Sequence, residues 1–416
     1  MPSLFASARR VFATPGFAAF LFARCAGMFA TQIQAVVVAW QLYDETRDPM
    51  ALAFAGLAQF LPMLLFLMPA GDLMDRRPRK PLLAASWVVA ALCAALLWLF
   101  GNVSARGGMG VTGIYAVLFC FGASRAFSGP AVQSLLPQIV PREKLAQAIA
   151  TNGMLMRAAS IVGPLAGGFL YAAGGARLAY AVCVVGFVLG ALCLAQVRTP
   201  YAAAPTVAEG RMAQRFGAGI RFIFQRPVIL GSISLDLFAV LLGGVVALLP
   251  IYASEILHCG AEGLGLLRSA IALGEVGMGF FLAAHPFDRA VGKRLFIAVA
   301  LFGCANLVFA LSTFFWLSFV ALMLAGAADM VSVYVRGALV QFATPDAMRG
   351  RVSAVNMLFI GSSNELGEFR AGTLAAWLGT VSAAALGGLC TLAIVAFWTR
   401  IFRPLYQVDR FEETDS

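Results

Sequence analysis

A dense cluster of charge between two long apolar runs is the feature that most constrains how this chain can fold. The cluster, at residues 71–80, reads GDLMDRRPRK. The run before it, residues 51–70, and the run after it, residues 81–101, contain no charged residue. Each run is close to the ~20 apolar residues that a helix needs to cross ~30 Å of hydrocarbon. The sequence therefore predicts two membrane-spanning helices joined by a basic loop, which the positive-inside rule assigns to the cytoplasm.

The same alternation of apolar runs and short polar loops fills the whole chain. Hydrophobic residues make up 61% of the 416 residues and charged residues 12%, and the mean hydropathy is +0.86. A composition this apolar excludes a soluble globular protein and indicates an all-α polytopic membrane protein. Hydropathy windows predict twelve transmembrane helices, numbered 1 to 12 in chain order, at 17–43, 51–72, 81–101, 110–131, 147–173, 177–197, 228–253, 262–284, 294–313, 315–342, 352–378 and 380–402.

Arginine and lysine are distributed unevenly between alternate loops, and this orients the predicted helices. With both termini in the cytoplasm, the outer loops hold only Arg47, Arg106 and Arg177. The inner loops and tails then hold Arg9, Arg10, the cations of residues 76–80, Arg142, Lys144, Arg198, Arg211, Arg215, Arg221, Arg226, Arg289, Lys293, Arg294, Arg349, Arg351, Arg400, Arg403 and Arg410. The net charge of +10 is thus attributed to membrane orientation and contact with anionic lipid, and not to nucleic-acid binding.

A basic, polar stretch near the middle of the chain divides it into two halves. The predicted organisation is an N-terminal six-helix bundle at 1–197, a cytoplasmic linker at 198–226, a C-terminal six-helix bundle at 227–403 and a cytoplasmic tail at 404–416. Within the linker, residues 213–224 are amphipathic, which predicts a short helix at the membrane interface.

The two halves also repeat weakly in sequence. The pattern D-R-x-x-R-K at residues 75–80, after helix 2, is matched by D-R-x-x-x-K-R at residues 288–294, after helix 8. The segments that begin at Pro141 and at Pro345 each carry an asparagine eleven residues later. Because both offsets are a little over two hundred residues, the halves are expected to be pseudo-symmetric.

The eight cysteines do not indicate a disulfide scaffold, because seven lie within predicted helices and no C-x-x-C pattern occurs. These seven are interpreted as small packing residues. Cys259, beside His258 in the predicted outer loop after helix 7, is the one expected to be exposed. A lone His-Cys pair is a poor metal site, so neither a metal nor a cofactor is expected.

Several segments resemble a known transporter family. Residues 71–80 resemble the signature between helices 2 and 3 of the major facilitator superfamily, departing from it at Pro78, where the superfamily usually has glycine. Residues 40–46 (WQLYDET), 349–356 (RGRVSAVN) and 361–368 (GSSNELGE) resemble its enterobactin-exporter-like branch. The resemblance covers essentially the whole chain. It implies the major facilitator fold of two six-helix bundles, a monomer in the bacterial cytoplasmic (inner) membrane, and export of siderophores or, in relatives, of drugs.

The resemblance also implies a conformational gate on the cytoplasmic side. Gly71 permits close backbone approach at the end of helix 2. Asp75 is expected near the start of helix 11, where the partial positive charge of a helix N-terminus favours a carboxylate. Arginines complete a charge network that must break for the inner side to open. The predicted gate comprises Gly71, Asp72, Asp75, Arg76, Arg79 and Arg349.

Helix 5 carries a glycine-rich segment that resembles the antiporter motif of exporters in this superfamily. Gly163 and Gly167 are four residues apart and give a smooth face for a neighbouring helix. Pro164 removes a backbone hydrogen bond and is expected to bend helix 5. The predicted helix-packing motif is Gly163, Pro164, Gly167 and Gly168.

Ionisable residues inside the predicted helices are candidates for the mechanism. The basic ones are Arg24, Arg125, Arg157, Arg268, Arg336 and Arg370, and the acidic ones are Asp236, Glu275, Asp329, Glu365 and Glu368. A lone charge costs ~3 kcal/mol or more at the bilayer centre, so these near-equal numbers suggest pairing across helices or around a wet cavity. A permanent salt-bridge network that only holds helices together is the alternative.

Six of the charged residues are predicted to take part in proton coupling: Arg125, Asp236, Asp329, Arg336, Glu365 and Glu368. Arg125 and Gly129 resemble the R-x-x-x-G motif of helix 4, which is linked to proton transfer in the superfamily. Glu365 and Glu368 share one face of helix 11, and two neighbouring carboxylates do not ionise together easily. Arg336 lies about 10.5 Å of helical rise from Asp329 and is expected to have another partner. Candidates for lining a substrate cavity are Arg24, Gln32, Glu275 and Asn364.

These features predict a secondary active exporter that moves an amphipathic organic solute, siderophore-like or drug-like, out of the cell in exchange for protons by alternating access. The expected partners are a small-molecule substrate, protons and membrane lipids. A multidrug or macrolide efflux pump is the alternative within transport, and a membrane receptor or lipid-handling protein is the alternative outside it. An enzyme is disfavoured because His258 and His285 lie in loops on opposite sides and no catalytic cluster is visible. The chain contains no Walker A sequence, so ATP is not expected to be the direct energy source.

Overall fold

Long apolar segments form helices here because a helix satisfies its own backbone hydrogen bonds where no water can. The computed structural model describes residues 14–100, 110–200 and 212–411, and all regular structure in these ranges is helical. The helices are α1 (Phe17–Thr46), α2 (Pro49–Arg76), α3 (Arg79–Phe100), α4 (Gly110–Ile139), α5 (Arg142–Gln196), α6 (Met212–Gln225), α7 (Pro227–Gly243), α8 (Gly260–Ala284), α9 (Val291–Leu311), α10 (Phe315–Phe342), α11 (Asp346–Leu378), α12 (Thr380–Ile401) and α13 (Arg403–Gln407). Short helical segments at Val246–Leu248, Leu249–Ile251 and Tyr252–Ile256 continue the seventh crossing after α7. The predicted linker residues 201–211 and Arg106 lie outside the described residues.

Twelve membrane crossings follow from these helices. Ten helices in the described ranges are long and apolar enough to cross a membrane. One of them, α5, has 55 residues, which would make it about 80 Å long if continuous, far more than one bilayer. Its backbone is non-helical at Gly174 and Gly175, where φ is 66° at the second residue, so α5 supplies two crossings. The twelfth is α11, whose interior charges lower its hydropathy. The predicted all-α polytopic membrane fold is therefore confirmed.

The chain divides into two compact units. Unit 1 consists of Met1–Glu45 and Ala58–Glu209, and unit 2 consists of Thr46–Leu57 and Gly210–Ser416. The second boundary falls inside the predicted linker. The start of α2 belongs to unit 2 because it packs on α11, where Phe54 and Phe369 meet edge to face with ring centroids 6.0 Å apart.

Unit 1 is held together by glycines that let its helices touch. A Cβ on Gly163 would stand 2.5 Å from Cβ of Gln32, and one on Gly167 would stand 3.2 Å from Cα of Ile33. The glycine face of α5 therefore lies directly against α1, as a close helix contact requires. Pro164 keeps helical dihedral angles, so the break in α5 falls at the two glycines ten residues further on and not at the proline.

Glycines also allow close helix contact in unit 2, where α8 crosses α10. A Cβ on Gly274 would collide with the backbone carbonyl of Met323, and one on Gly326 would collide with the carbonyl of Ile271. The two helices are thus in direct backbone contact, each through a glycine. Glu275 follows Gly274 in the chain. It therefore lies at about the same height along the helix pair as the residues that follow Gly326 on α10.

The amphipathic helix of the predicted linker is present as α6, but its apolar face packs on protein. Ile223 is fully buried and clusters with Val352 and Val355 of α11. Gly219 allows the contact, since a Cβ there would stand 2.8 Å from the carbonyl of Arg351. Phe224 is left 63% exposed. The location of α6 at the membrane interface stays a prediction.

All eight cysteines are free thiols, but the expectation that Cys259 is the exposed one is wrong. Cys259 is half-buried because its side chain folds over Gly263 at the start of α8. Cys120 and Cys304, on α4 and α9, are the exposed ones. Both lie within transmembrane helices.

Candidate functional site

The structure interrupts the seventh crossing close to its centre. α7 ends at Gly243, Gly244 is extended with φ −61° and ψ 131°, and a 3₁₀ turn follows at Val246–Leu248. Gly243 is required because any side chain there would collide with the hydroxyl of Thr391 on α12. Discontinuous membrane helices of this kind are where transporters commonly place ion and substrate sites, because they expose backbone carbonyls inside the protein.

Two polar side chains satisfy the carbonyls at this break. Asn306 of α9 is 1% exposed, and its Nδ2 donates to the carbonyl oxygen of Gly243 at 3.1 Å. Arg370 of α11 donates through Nη2 to the carbonyl oxygen of Gly244 at 3.5 Å. Four elements of unit 2 therefore meet at the end of α7, and the break is a fixed feature of the packing.

A small cavity of about 160 Å³ opens beside the break. Polar side chains from four helices line it: Glu275 of α8, Asn306 of α9, Asp329 of α10, and Asn364 and Glu368 of α11. Its remaining walls are apolar and include the backbone at residues 244–246. The cavity brings together two predicted coupling acids, Asp329 and Glu368, with two residues predicted to line a substrate cavity, Glu275 and Asn364.

The size of the cavity limits what it can hold. Sites for drug-sized ligands have volumes of about 300–1,000 Å³, whereas one water occupies about 30 Å³ in the liquid. A cavity of 160 Å³ with carboxylates, amides and carbonyls suits a few waters and a small cation, the proton included.

Glu365 and Glu368 lie side by side, as their spacing on α11 predicts. The Oε2 atoms of both would lie within 3.9 Å of a Cβ placed on Gly56 of α2. Both acids lie near Arg268 of α8. The Nε atom of Arg268 is buried and has no hydrogen-bond partner among the described residues. The acid pair thus lies near a half-buried arginine on a neighbouring helix.

Asp236 and Arg336 form a separate ion pair away from this cavity. The carboxylate Oδ2 of Asp236 on α7 pairs with Nη1 of Arg336 on α10, and the side chains are 7% and 4% exposed. The hydroxyl of Ser332 donates to the other carboxylate oxygen at 3.4 Å. Arg336 therefore has a partner other than Asp329, and both charges of the pair are neutralised within unit 2.

Candidate residues of unit 1 lie in different settings. Arg24 of α1 donates through Nη1 to Oδ1 of Asn152 on α5 at 2.6 Å. Gln32 lies on the same helix at the contact with Gly163. Arg125 is half-buried on α4, and a Cβ on Gly129 would meet no atom within 4 Å.

The gate residues are only partly described. Gly71 and Arg79 are half-buried, Asp72 and Arg349 are exposed, and the side chains of Asp75 and Arg76 lie outside the described residues. Arg349 belongs to unit 2 and the others to unit 1. The gate therefore stays a prediction.

Sequence reasoning missed three parts of the site. Asn306 was not singled out, although it is the one amide in an otherwise apolar stretch of α9. The adjacent Gly243 and Gly244 were read as part of a continuous helix, although two glycines in mid-span are a recognisable signal for a break. Arg268 was noted as a charge, but its position opposite Glu365 and Glu368 could not be read from the sequence.

An all-helical polytopic protein with intramembrane charges around a broken helix is a membrane transporter by architecture. Comparison with known families agrees. Residues 20–368 match the Major Facilitator Superfamily, and the chain belongs to that family. Its members are transporters, not enzymes, so the protein is an integral membrane transporter of a small-molecule substrate.

Named relatives include two enterobactin exporters. The chain is 26% identical over 377 residues to the Enterobactin exporter EntS of Citrobacter koseri, covering 90% of this chain and 88% of that protein. It is 25% identical over 403 residues to the protein of the same name from Escherichia coli O1:K1, covering 96% of this chain and 94% of that protein.

Solved structures share the fold at low sequence identity. A bacterial homologue of the iron transporter ferroportin, in an inward-facing state, superposes with a TM-score of 0.72 at 16% identity, covering 94% of this chain and 98% of that one. A POT family transporter in complex with a thioalcohol-conjugated peptide superposes with a TM-score of 0.74 at 11% identity, covering 94% of this chain and 97% of that one. At these identities the likeness shows the fold alone.

Proposed function

We propose that this protein is a proton-driven exporter of an amphipathic organic solute, acting as a monomer by alternating access in the bacterial cytoplasmic membrane with both termini in the cytoplasm. The observation that carries the proposal is the acidic cavity beside the end of α7. Glu275, Asp329 and Glu368 reach it from three helices of unit 2.

The charge balance of unit 2 supports coupling to protons. Its intramembrane acids are Asp236, Glu275, Asp329, Glu365 and Glu368, and its intramembrane bases are Arg268, Arg336 and Arg370. Asp236 and Arg336 neutralise each other, which leaves four carboxylates and two arginines. An ionised carboxylate within the membrane costs ~3 kcal/mol or more unless a counter-charge offsets it. Binding protons removes that cost.

Glu368 is the acid best placed to carry the proton. It lines the cavity and is partly exposed. It adjoins Glu365 at Gly56, and two adjacent carboxylates share protons as a coupled pair. We assign Arg268, which lies near Glu368, the role of its counter-charge. Asp329 and Glu275 share the remaining protons of the site.

The substrate is proposed to be siderophore-like. The support is that relatives of this chain over nearly its whole length are named enterobactin exporters. The substrate must bind outside the acidic cavity, because 160 Å³ is too small for an amphipathic organic molecule. Drug-like or macrolide substrates are the second candidate, and a test with both kinds of compound separates them.

Transport by purified protein in proteoliposomes tests the coupling. With an imposed pH gradient, wild-type protein should accumulate enterobactin against its gradient. Glu368→Gln should abolish this accumulation but retain exchange of labelled for unlabelled enterobactin, because binding and alternation do not need the proton step. Glu262→Gln, an exposed acid at the start of α8, is the matched control and should behave as wild type. Uphill accumulation at the wild-type rate by Glu368→Gln would refute the assignment.

Cells test the substrate separately. Metabolites in medium and cells should be compared with and without the gene, under iron limitation and in rich medium. Retention of a siderophore inside deletion cells supports the proposal. Normal siderophore release combined with increased sensitivity to ethidium or erythromycin would favour a drug efflux pump.

A further inference from the structure

An apolar cleft runs along the outer surface of unit 2, between α9 and α10. Its volume is about 440 Å³, nearly three times that of the acidic cavity. Its lining from α9 repeats every three or four residues, from Arg294 through Ile297, Leu301 and Cys304 to Val308. That spacing is one face of a helix, so the cleft follows α9 for about 21 Å.

The cleft has a floor of small residues and walls of large ones. Ala298, Ala305 and Ala328 are buried at its base. Leu301 and Leu324 stand on either side and are 57% and 56% exposed. In a membrane these exposed side chains face hydrocarbon. A furrow about 21 Å long with an apolar floor is long enough for the acyl chain of one leaflet, which contributes about 15 Å of hydrocarbon, and for the start of its headgroup.

One end of the cleft is basic. Arg294 is its one charged lining residue and lies in the first turn of α9. Its guanidinium carbon stands 4.2 Å above the ring of Phe287. A guanidinium stacked by its face keeps its N–H edge free to bind a phosphate with two hydrogen bonds. Lys293, which is exposed, and Arg289 flank it.

We propose that this cleft is a binding site for an anionic phospholipid, with the phosphate at Arg294 and one acyl chain along the α9–α10 furrow. Charge complementarity and shape support this site, because the one cation of the lining lies at the end where the loop between α8 and α9 meets the headgroup region, and the rest of the lining is apolar. Basic pockets between transmembrane helices bind anionic headgroups in this way. The site is separate from the acidic cavity and does not depend on the proposed coupling.

Thermal unfolding of the purified full-length protein in detergent tests the proposal. Phosphatidylglycerol should raise the unfolding midpoint of the wild type, and phosphatidylcholine at equal concentration should raise it less. Arg294→Gln should weaken retention of phosphatidylglycerol about fivefold, because one cation at a membrane surface contributes about a factor of five in affinity. Cys304→Phe, which fills the cleft from an exposed position, should reduce retention of both lipids.

Two control variants keep the test specific. Cys120→Phe adds the same bulk at an exposed cysteine of α4, and Arg400→Gln removes a cation from the last turn of α12. Both should keep the wild-type response to phosphatidylglycerol. Equal stabilisation by the two lipids, or an unchanged response in Arg294→Gln, would overturn the proposal. Equal stabilisation by inorganic phosphate would show an anion site without an acyl chain and would overturn it as well.

Discussion

Asp236 and Arg336 form a buried ion pair that ties α7 to α10 within unit 2. The sequence places both charges in the membrane but gives no reason to pair them, since 100 residues separate them. Asp236 is buried in this pair, whereas Glu368 is partly exposed and lines the cavity, which favours a structural role for Asp236.

Breaking this pair should destabilise the protein without uncoupling it. Removing one partner leaves an uncompensated charge in a dry environment, which costs about 3–5 kcal/mol in buried pairs. Arg336→Gln should lower the thermal unfolding midpoint markedly, and Asp236→Asn combined with Arg336→Gln should recover part of the loss. Unfolding monitored by fluorescence-detected size exclusion measures both. If folded Asp236→Asn protein loses uphill transport but retains exchange, Asp236 is a coupling residue after all.

The α8–α10 crossing should tolerate no added methyl group. Gly326→Ala places a Cβ against the carbonyl of Ile271, and overpacking of this kind costs about 1–3 kcal/mol. Gly277→Ala on α8 is the matched control, because a Cβ there meets no atom within 4 Å. We expect a lower unfolding midpoint for Gly326→Ala and an unchanged or higher one for Gly277→Ala. Equal midpoints would mean that the helices do not touch at this glycine.

Asn306 should be needed for the shape of the break in α7. Asn306→Leu removes the donor to the carbonyl of Gly243, and a buried carbonyl left unsatisfied costs about 1–3 kcal/mol. We expect reduced stability together with altered pH dependence of transport, because the carbonyls border the acidic cavity. Asn306→Gln tests whether a longer amide restores both. Wild-type stability and transport in Asn306→Leu would contradict the assignment.

The predicted orientation is best tested at positions other than Cys259. Burial raises the pKa of the Cys259 thiol to about 11, so the reactive thiolate is scarce at neutral pH and labelling is roughly a hundredfold slower than for an ordinary thiol. Its labelling rate should rise about tenfold per pH unit between pH 7 and 9, because deprotonation lies above that range.

Exposed replacements give the clearer signal. In a cysteine-free background, Glu262→Cys at the start of α8 should react with an impermeant maleimide in intact cells. Arg289→Cys, in the loop at the other end of α8, should react only after lysis. Both positions are exposed. The reverse pattern would invert the predicted topology and place both termini outside.

Much of the fold could be predicted from local sequence. The charge-free runs on either side of residues 71–80 predict α2 and α3, and the amphipathic segment 213–224 predicts α6. Hydrocarbon forces charge-free runs into helices whatever their neighbours are, and the apolar spacing of 213–224 is itself that of a helix. Boundaries were less accurate: α4 continues to Ile139, eight residues beyond the predicted end, because its last turns extend past the apolar window.

The sequence by itself determined the class of protein, the number of crossings and the charges that the membrane must tolerate. Only the tertiary structure decided the partners of those charges: Arg336 with Asp236, Arg24 with Asn152, and Glu275, Asp329 and Glu368 around one cavity. The physical reason is that membrane insertion depends on each segment by itself, while side-chain pairing depends on contacts between segments. Hydropathy acts on each segment separately, whereas pairing depends on which helix faces meet, and that is set by glycine contacts such as Gly274 and Gly326 between segments far apart in the chain.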